Sequence, residues 1–418
     1  MVRGGRHATA ARTAGRRLDW SALAPRRRRR SRALLREAGM TGVVSLAKRR
    51  QAGTSLPDNA PVLRVDLAAI GANYLEMRRR YRGQVLSAVV KSDAYGTGLE
   101  PVVRTLAAVG CRAFWTSDLE EAVRLRPIAP EATAYTLMGL GNDHVRDFEA
   151  SGVVPALASM EDVEQCARHA VRAGKKLAVA IQIDTGLGRL GLGEDELAWL
   201  AGRPDMLEGL DIRLWVTQLA AYNFPGDPGN AEQRRRLLAW IARLPRAPVS
   251  LAASSGVYMG EDWHFDMARV GSALYGVQTS AAWQDGLKPC YELSAPLIRV
   301  ADYPAGARLG YRGVTQLTRP SRIATAVIGY ANGLPQRFAE SGTARLGDFT
   351  VPLVGGIAMN LTMLDLTDLP AGMPLAGQRA VLLDAAQPIE TVAEQLGCAP
   401  NVLLTQIGAG TRKAYVEE

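Results

Sequence analysis

The chain has 418 residues, 47% apolar and 22% charged, which is globular composition and length enough for two domains. No apolar stretch reaches the ~18–20 residues of a membrane span, and four scattered cysteines and four histidines form no ligand-spaced set, which excludes a membrane-spanning helix, a zinc cluster and a histidine metal site. The net charge of +9 is lopsided, because residues 1–53 hold fifteen Arg or Lys against Asp19 and Glu37 and leave the remainder at −4.

The basic arm, densest in "PRRRRRSRALLRE" (25–37), reads as a solvated extension covering residues 1–61. It has no aromatic-rich platform for stacking bases, which argues against nucleic acid, and no apolar core of a secretory signal. Unpaired cysteines fit a reducing compartment, so a cytoplasmic location is expected. From Val62, "VLRVDLAAIGANYLEMRRRY" starts as a strand and turns into a helix. Strands are then expected at 85–91, 113–117, 132–138, 153–159, 177–184, 210–217, 247–254 and 267–276. Amphipathic helices fall between most of them, most clearly at 160–174 and 231–244. Eight strands alternating with helices imply parallel strands joined by right-handed crossovers, a (β/α)8 TIM barrel over residues 62–294. An open doubly wound sheet is the rival, but no early strand runs into G-x-G-x-x-G.

After Ser294 the pattern changes. Strand-like runs with Gly and Pro between them, such as "RIATAVIGYANG" and "RAVLLD", define a C-terminal, mostly-β domain over residues 295–418, with the first strand at Val62 open to pairing with it. Helix is scarce there until residues 389–397.

"LSAVVKSDAYGTG" (86–98) poses the chemical question, because an apolar buried strand ends in Lys91. Catalytic side chains of such barrels sit at C-terminal strand ends. Apolar surroundings lower a lysine's pKa and free its amine to form a Schiff base with a carbonyl. The alternative for the position alone is a lysine that snorkels to solvent or pairs with an acid.

"VVKSDAYGTG" resembles the lysine motif of the alanine racemases, and further motifs follow in the same order: "DTGLGRLG" (184–191), "MARVGSALYG" (267–276), "GYRG", "IGYANG", "IAMN" (357–360) and the terminal "KAYVEE". The resemblance runs over about 355 residues. It implies a fold-type III pyridoxal-phosphate enzyme that interconverts L- and D-amino acids, supplying D-amino acid for biosynthesis, and works as a homodimer with active sites shared between subunits. Lys91 would carry the cofactor and act as one base. Tyr311 would be the second, reaching the other subunit's barrel. Tyr95, Ser255, Gly271, Ser272 and Tyr330 would surround the phosphate, Arg269 would face the pyridine nitrogen, and Gln218 would lie against the ring. Arg189, steadied from position 182 and helped by the amide of Met359, would hold the substrate carboxylate; Tyr415 would narrow the entrance.

Five positions depart from the family pattern. Gln182 replaces a lysine that becomes carbamylated, Gln218 a histidine, Asn360 an aspartate, Ser254 an asparagine and Thr97 a histidine. Gln182 has no amine for carbon dioxide to modify, and its amide oxygen is expected to accept from Arg189. These changes leave both bases in place and bear on substrate choice. Alanine is the default substrate, with serine or a special-metabolite amino acid as rivals. A decarboxylase or aldolase on the same barrel, and a pyridoxal-phosphate carrier protein, are the other readings; carriers are typically a barrel alone, so the β-domain argues for an enzyme.

Overall fold

The computed structural model describes residues 59–280, 284–370, 372, 373, 375 and 377–417. The basic arm lies outside them, save the last residues of the predicted extension. Eight parallel strands form the barrel: β2 (Val85–Val89), β3 (Ala113–Thr116), β4 (Thr133–Thr136), β5 (Val154–Leu157), β6 (Leu177–Gln182), β7 (Leu210–Val216), β8 (Val249–Ser250) and β9 (Met267–Val270). β9 returns to pair with β2, and an isolated parallel bridge between Ala253 and Arg269 closes the ring. Each strand stops short of its apolar run, because the remaining residues turn into the loops at the C-terminal rim.

Side-chain alternation divides the apolar residues into two sets. Val89, Trp115, Tyr135, Ala156, Ala180, Leu214, Val216 and Met267 fill the barrel interior. A larger set packs the outer face against the helices α1 (Leu67–Arg80), α3 (Leu99–Ala108), α4 (Leu119–Leu125), α5 (Val145–Ser151), α6 (Met160–Ala173), α7 (Glu194–Ala201) and α8 (Pro228–Ile241). Their ends are specified locally. Asp66 caps α1 by accepting from the Ala69 amide at 2.8 Å, and Arg78, Arg79 and Arg80 complement its C-terminal dipole. Ser159 caps α6, which ends at Gly174 in the left-handed conformation.

The C-terminal sheet is built around β1 (Val62–Asp66), which pairs antiparallel with β10 (Tyr291–Tyr303) and parallel with β18 (Arg412–Val416). The chain's first and last described strands thus lie side by side. β13 (Ser321–Ala326), β14 (Thr343–Leu346), β15 (Phe349–Ile357), β16 (Thr362–Asp365) and β17 (Arg379–Leu383) complete that sheet, and β11 (Arg308–Leu309) pairs with β12 (Thr315–Gln316) in a small hairpin. α10 (Ile389–Leu396) matches expectation; α11 (Pro400–Gly410), whose Gly and β-branched residues weaken its helical signal, is not among the expected helices and packs back onto the barrel.

Candidate active site

Lys91 stands at the end of β2, where the backbone does something rare. Ser92, Asp93, Ala94 and Tyr95 all have φ between 53° and 57°, so the five-residue α2 (Lys91–Tyr95) is a left-handed turn with no glycine inside it. At ~1–2 kcal/mol per residue, this conformation costs on the order of 4–8 kcal/mol, and it persists only where surrounding contacts over-determine it. Those contacts are present. The Asp93 amide donates to Glu121 Oε1 at 2.9 Å, the Asp93 carboxylate accepts from the Leu99 amide at 2.9 Å, and Gly98 N–H donates to the Asp93 carbonyl at 2.8 Å. Buried Thr97 donates to the Ala94 carbonyl. α11 presses on the turn where Gly408 meets Gly96: a Cβ on Gly408 would lie 2.2 Å from the Gly96 carbonyl oxygen.

The turn points Lys91 into a cavity of about 490 Å³ at the C-terminal rim of the barrel. Desolvation lowers the Lys91 pKa, and the nearby Arg189 guanidinium lowers it further. Both effects favour a free amine. Of the residues expected at the site, Lys91, Tyr95, Gln182, Arg189, Gln218, Ser255, Arg269, Gly271 and Ser272 all line this cavity.

One end of the cavity is rich in hydroxyls. Ser254 and Ser255 open α9 (Ser254–Tyr258), and Gly271 and Ser272 follow β9. Ser254 Oγ accepts from the Gly271 and Ala273 amides at 3.0 and 3.3 Å, joining the loops after the last two barrel strands. Tyr95 stands so close to Gly271 that a Cβ there would sit 2.3 Å from the tyrosine hydroxyl. Ser272 Oγ faces Thr279 Oγ1 at 3.3 Å. Ser255 Oγ is buried and has no hydrogen-bond partner among the described residues. A buried hydroxyl is rarely left unpaired, so this one waits for a ligand atom, and the cup of hydroxyls suits a phosphate.

Arg269 forms the floor. Nη1 donates to the Ser250 carbonyl at 3.0 Å, and Nη2 donates to the Thr217 carbonyl at 2.6 Å and to Gln218 Oε1 at 3.1 Å. Burial pushes its pKa down to about 10, which leaves it charged at neutral pH. All its hydrogen-bond partners among the described residues are neutral oxygens, and its guanidinium lies 5.8 Å from the Trp115 ring centroid.

Arg189 is carried by a loop pinned at its base. Leu192 N–H donates to the Gln182 carbonyl at 2.9 Å and Asp184 N–H to the Leu192 carbonyl at 3.0 Å, while the Asp184 carboxylate accepts from the amides of Gly186, Leu187 and Gly188. The guanidinium is exposed and makes no hydrogen bond or ion pair to a described residue. The expected bond from Arg189 to Gln182 is not formed. Gln182 Nε2 instead donates to the carbonyls of Leu137 and Ala156, at 3.0 and 2.8 Å, tying the loop's root to neighbouring strands.

Tyr311, Tyr330, Met359 and Tyr415 do not line this cavity. Tyr415 stands over Gly98, next to the Lys91 turn. Tyr311 is 80% exposed on a loop whose Gly310, Arg312 and Gly313 have φ of 75°, 60° and 61°. That loop rests on β15 at Gly355, and β15 leads on to Met359, so Tyr311, Val314, Met359 and Tyr330 form an exposed apolar and aromatic edge of the β-domain. Sequence reasoning missed several cavity residues, Tyr222, Thr279 and Asn401 among them. Tyr222 and Thr279 carry no motif, and Asn401, whose Oδ1 is buried without a partner, arrives from α11. Among the described residues there is no cluster able to hold a metal ion and no helix long and apolar enough to cross a membrane.

The fold and the site define a class: a barrel with a lysine amine in the cavity at the end of its first barrel strand, joined to a β-domain. Residues 65–279 match the alanine racemase N-terminal domain, and residues 290–415 match the alanine racemase C-terminal domain. The alanine racemase of Brucella ovis is 37% identical over 369 residues, covering 85% of this chain and 93% of that one. The catabolic alanine racemase of Agrobacterium fabrum is 34% identical over 356 residues, covering 85% and 92%. Among solved structures, the alanine racemase of Bartonella henselae with covalently bound pyridoxal phosphate superposes with a TM-score of 0.82 at 32% identity, covering 85% of this chain and 99% of that chain. That of Streptomyces coelicolor superposes with a TM-score of 0.80 at 28% identity, covering 86% and 98%. The chain belongs to the alanine racemase family and is an isomerase.

Proposed function

We propose that the chain is a pyridoxal-phosphate-dependent racemase of alanine, with Lys91 and Tyr311 as its two bases. The observation that carries this reading is a lysine with a depressed pKa sharing one cavity with an unpaired buried serine hydroxyl and a buried arginine. Lys91 would hold the cofactor's aldehyde carbon, Ser255, Ser272 and Tyr95 its phosphate, and Arg269 its ring nitrogen, with Gln218 beside the ring. When bound, pyridoxal phosphate supplies the electron-withdrawing group that acidifies the substrate's Cα–H. Lys91 would take or return a proton at Cα from one face. Arg189 orients the substrate carboxylate, and its loop needs no carbamate because Asp184 and Gln182 already pin it.

Inversion requires a second proton carrier on the opposite face. Tyr311 lies in the motif that resembles the family's second base, and it faces outward on an apolar edge. A second copy of the chain, seated on that edge, would receive Tyr311 in its own cavity, with Met359 beside the substrate carboxylate. The active species is therefore a homodimer. Tyr222 supports a second reading, because it lines the cavity of its own chain. Borohydride reduction of the holoenzyme, followed by peptide mapping, tests the cofactor assignment. The label is expected on the peptide containing Lys91; a label on another lysine would overturn it. Chiral turnover of alanine, serine and larger amino acids tests the substrate, with alanine expected to lead.

A further inference from the structure

Gln233, on α8, does not line the cavity and belongs to none of the recognised motifs, yet its side chain is 4% exposed and fully engaged. Oε1 accepts from the Ala220 amide at 2.8 Å. Nε2 donates to the Gln218 carbonyl at 3.0 Å and to Thr185 Oγ1 at 3.0 Å. The backbone partners fix the amide's orientation, since an N–H only donates and a carbonyl only accepts. Thr185, supplied with a proton by Gln233, pairs with Thr217 at 2.8 Å between hydroxyl oxygens.

This network touches Arg269 and the root of the loop that carries Arg189. Thr185 follows Asp184 at the start of the loop that carries Arg189. The Thr217 carbonyl and the Gln218 amide oxygen are the acceptors that hold Arg269 Nη2. Thr185, Thr217 and Gln233 are each at most 4% exposed, so water does not compete for their bonds.

We propose that Gln233 is a positioning residue that couples the Arg189 loop to the Arg269 floor, fixing the substrate's anchor relative to the cofactor's ring. The proposal rests on the racemase reading, which gives those two arginines their ligands.

Three variants test it: Gln233→Met, Gln233→Glu and Thr185→Val. Each is purified as holoenzyme and compared with wild type in KM and kcat for alanine, in the Kd for pyridoxal phosphate and in the visible absorption band of the bound cofactor. Gln233→Met removes the donor and the acceptor. KM should rise about tenfold with a smaller change in kcat, and the absorption band should shift as Arg269 loses its fixed acceptors. Gln233→Glu keeps the acceptor for Ala220 but sets a carboxylate against the Gln218 carbonyl. Its defect should ease as pH falls and the buried carboxyl regains a proton to donate, whereas Gln233→Met should show no such recovery. Thr185→Val removes the bonds to Gln233 and Thr217 but leaves the Gln233 amide on the Gln218 carbonyl, so it should raise KM with a smaller shift of the band than Gln233→Met; it also keeps the test decisive should the Gln233 variants fail to fold. Wild-type KM and an unshifted band in folded Gln233 variants would overturn the proposal. So would losses that follow thermal stability alone, with no pH recovery in Gln233→Glu. A wild-type protein that binds pyridoxal phosphate but racemises nothing would refute the racemase reading instead, while the band shift would still report on the coupling.

Discussion

Lys91 and Tyr311 sit in opposite kinds of structure. Lys91 ends a buried strand, and its left-handed turn is held by Glu121, Asp93, Thr97 and a helix arriving from the other domain. Tyr311 stands 80% exposed on a glycine-flanked loop, its hydroxyl bonded to no described residue. The barrel half of the site is assembled and strained within one chain. The β-domain edge that carries Tyr311 is presented outward, and on the proposed reading a second copy of the chain covers it. The contrast separates two design problems. On the proposed reading, a cofactor-bearing lysine must be positioned before its ligand arrives, while a second base can be delivered by assembly.

The largest expected effect falls on the tyrosine. Tyr311→Phe should lower racemisation by about 10²–10³-fold in both directions while leaving the cofactor's Kd unchanged, since the substitution removes a proton carrier and touches nothing in the cavity of its own chain. Steady-state chiral assays beside an absorbance titration of pyridoxal phosphate check this. Near-normal rates in Tyr311→Phe, with collapse in Tyr222→Phe, would erase the contrast.

The prebuilt half should break at its tightest contact. Gly408→Ala places a methyl group 2.2 Å from the Gly96 carbonyl oxygen, so α11 or the left-handed turn must move. A loss of about 1–3 kcal/mol of stability is expected, with weaker cofactor retention, read by thermal unfolding and by dialysis of the holoenzyme. The smallest effect sharpens the same point. Arg189 is held by a loop that Asp184 and Gln182 fix, with no amine at position 182, so added bicarbonate should leave rate and KM unchanged. Clear activation would mean that the loop is not complete without a carbamate.

The barrel was legible because its strands are apolar runs closed by turn signals, and Lys91 was legible because a lysine at such an end is expensive. The strand ends were read too long, since apolar residues such as Leu137 and Met138 continue into the cavity wall. The left-handed turn was invisible. Ser92 to Tyr95 contain no glycine, and two of the contacts that hold them come from Glu121 and Gly408, far along the chain. Gln233 was invisible for a related reason: on a helix otherwise crowded with arginines, an amide looks like solvent-facing polarity until the fold brings Thr185 and Gln218 to it. Gln182 was singled out from sequence, but its partner was misjudged, because two carbonyls take its Nε2 and so fix the way the amide points, while solvent satisfies the Arg189 guanidinium.

The central claim is that each active site takes its lysine from one chain and its tyrosine from another, and mixed dimers test it most directly. Lys91→Ala and Tyr311→Phe proteins, each nearly inactive alone, are unfolded together and refolded in equal amounts. Half of the dimers formed are then mixed, and each mixed dimer holds one site with both bases intact, so activity should return to about one quarter of wild type. Recovery no greater than the mean of the two parent variants would contradict the account and place both bases in a single chain.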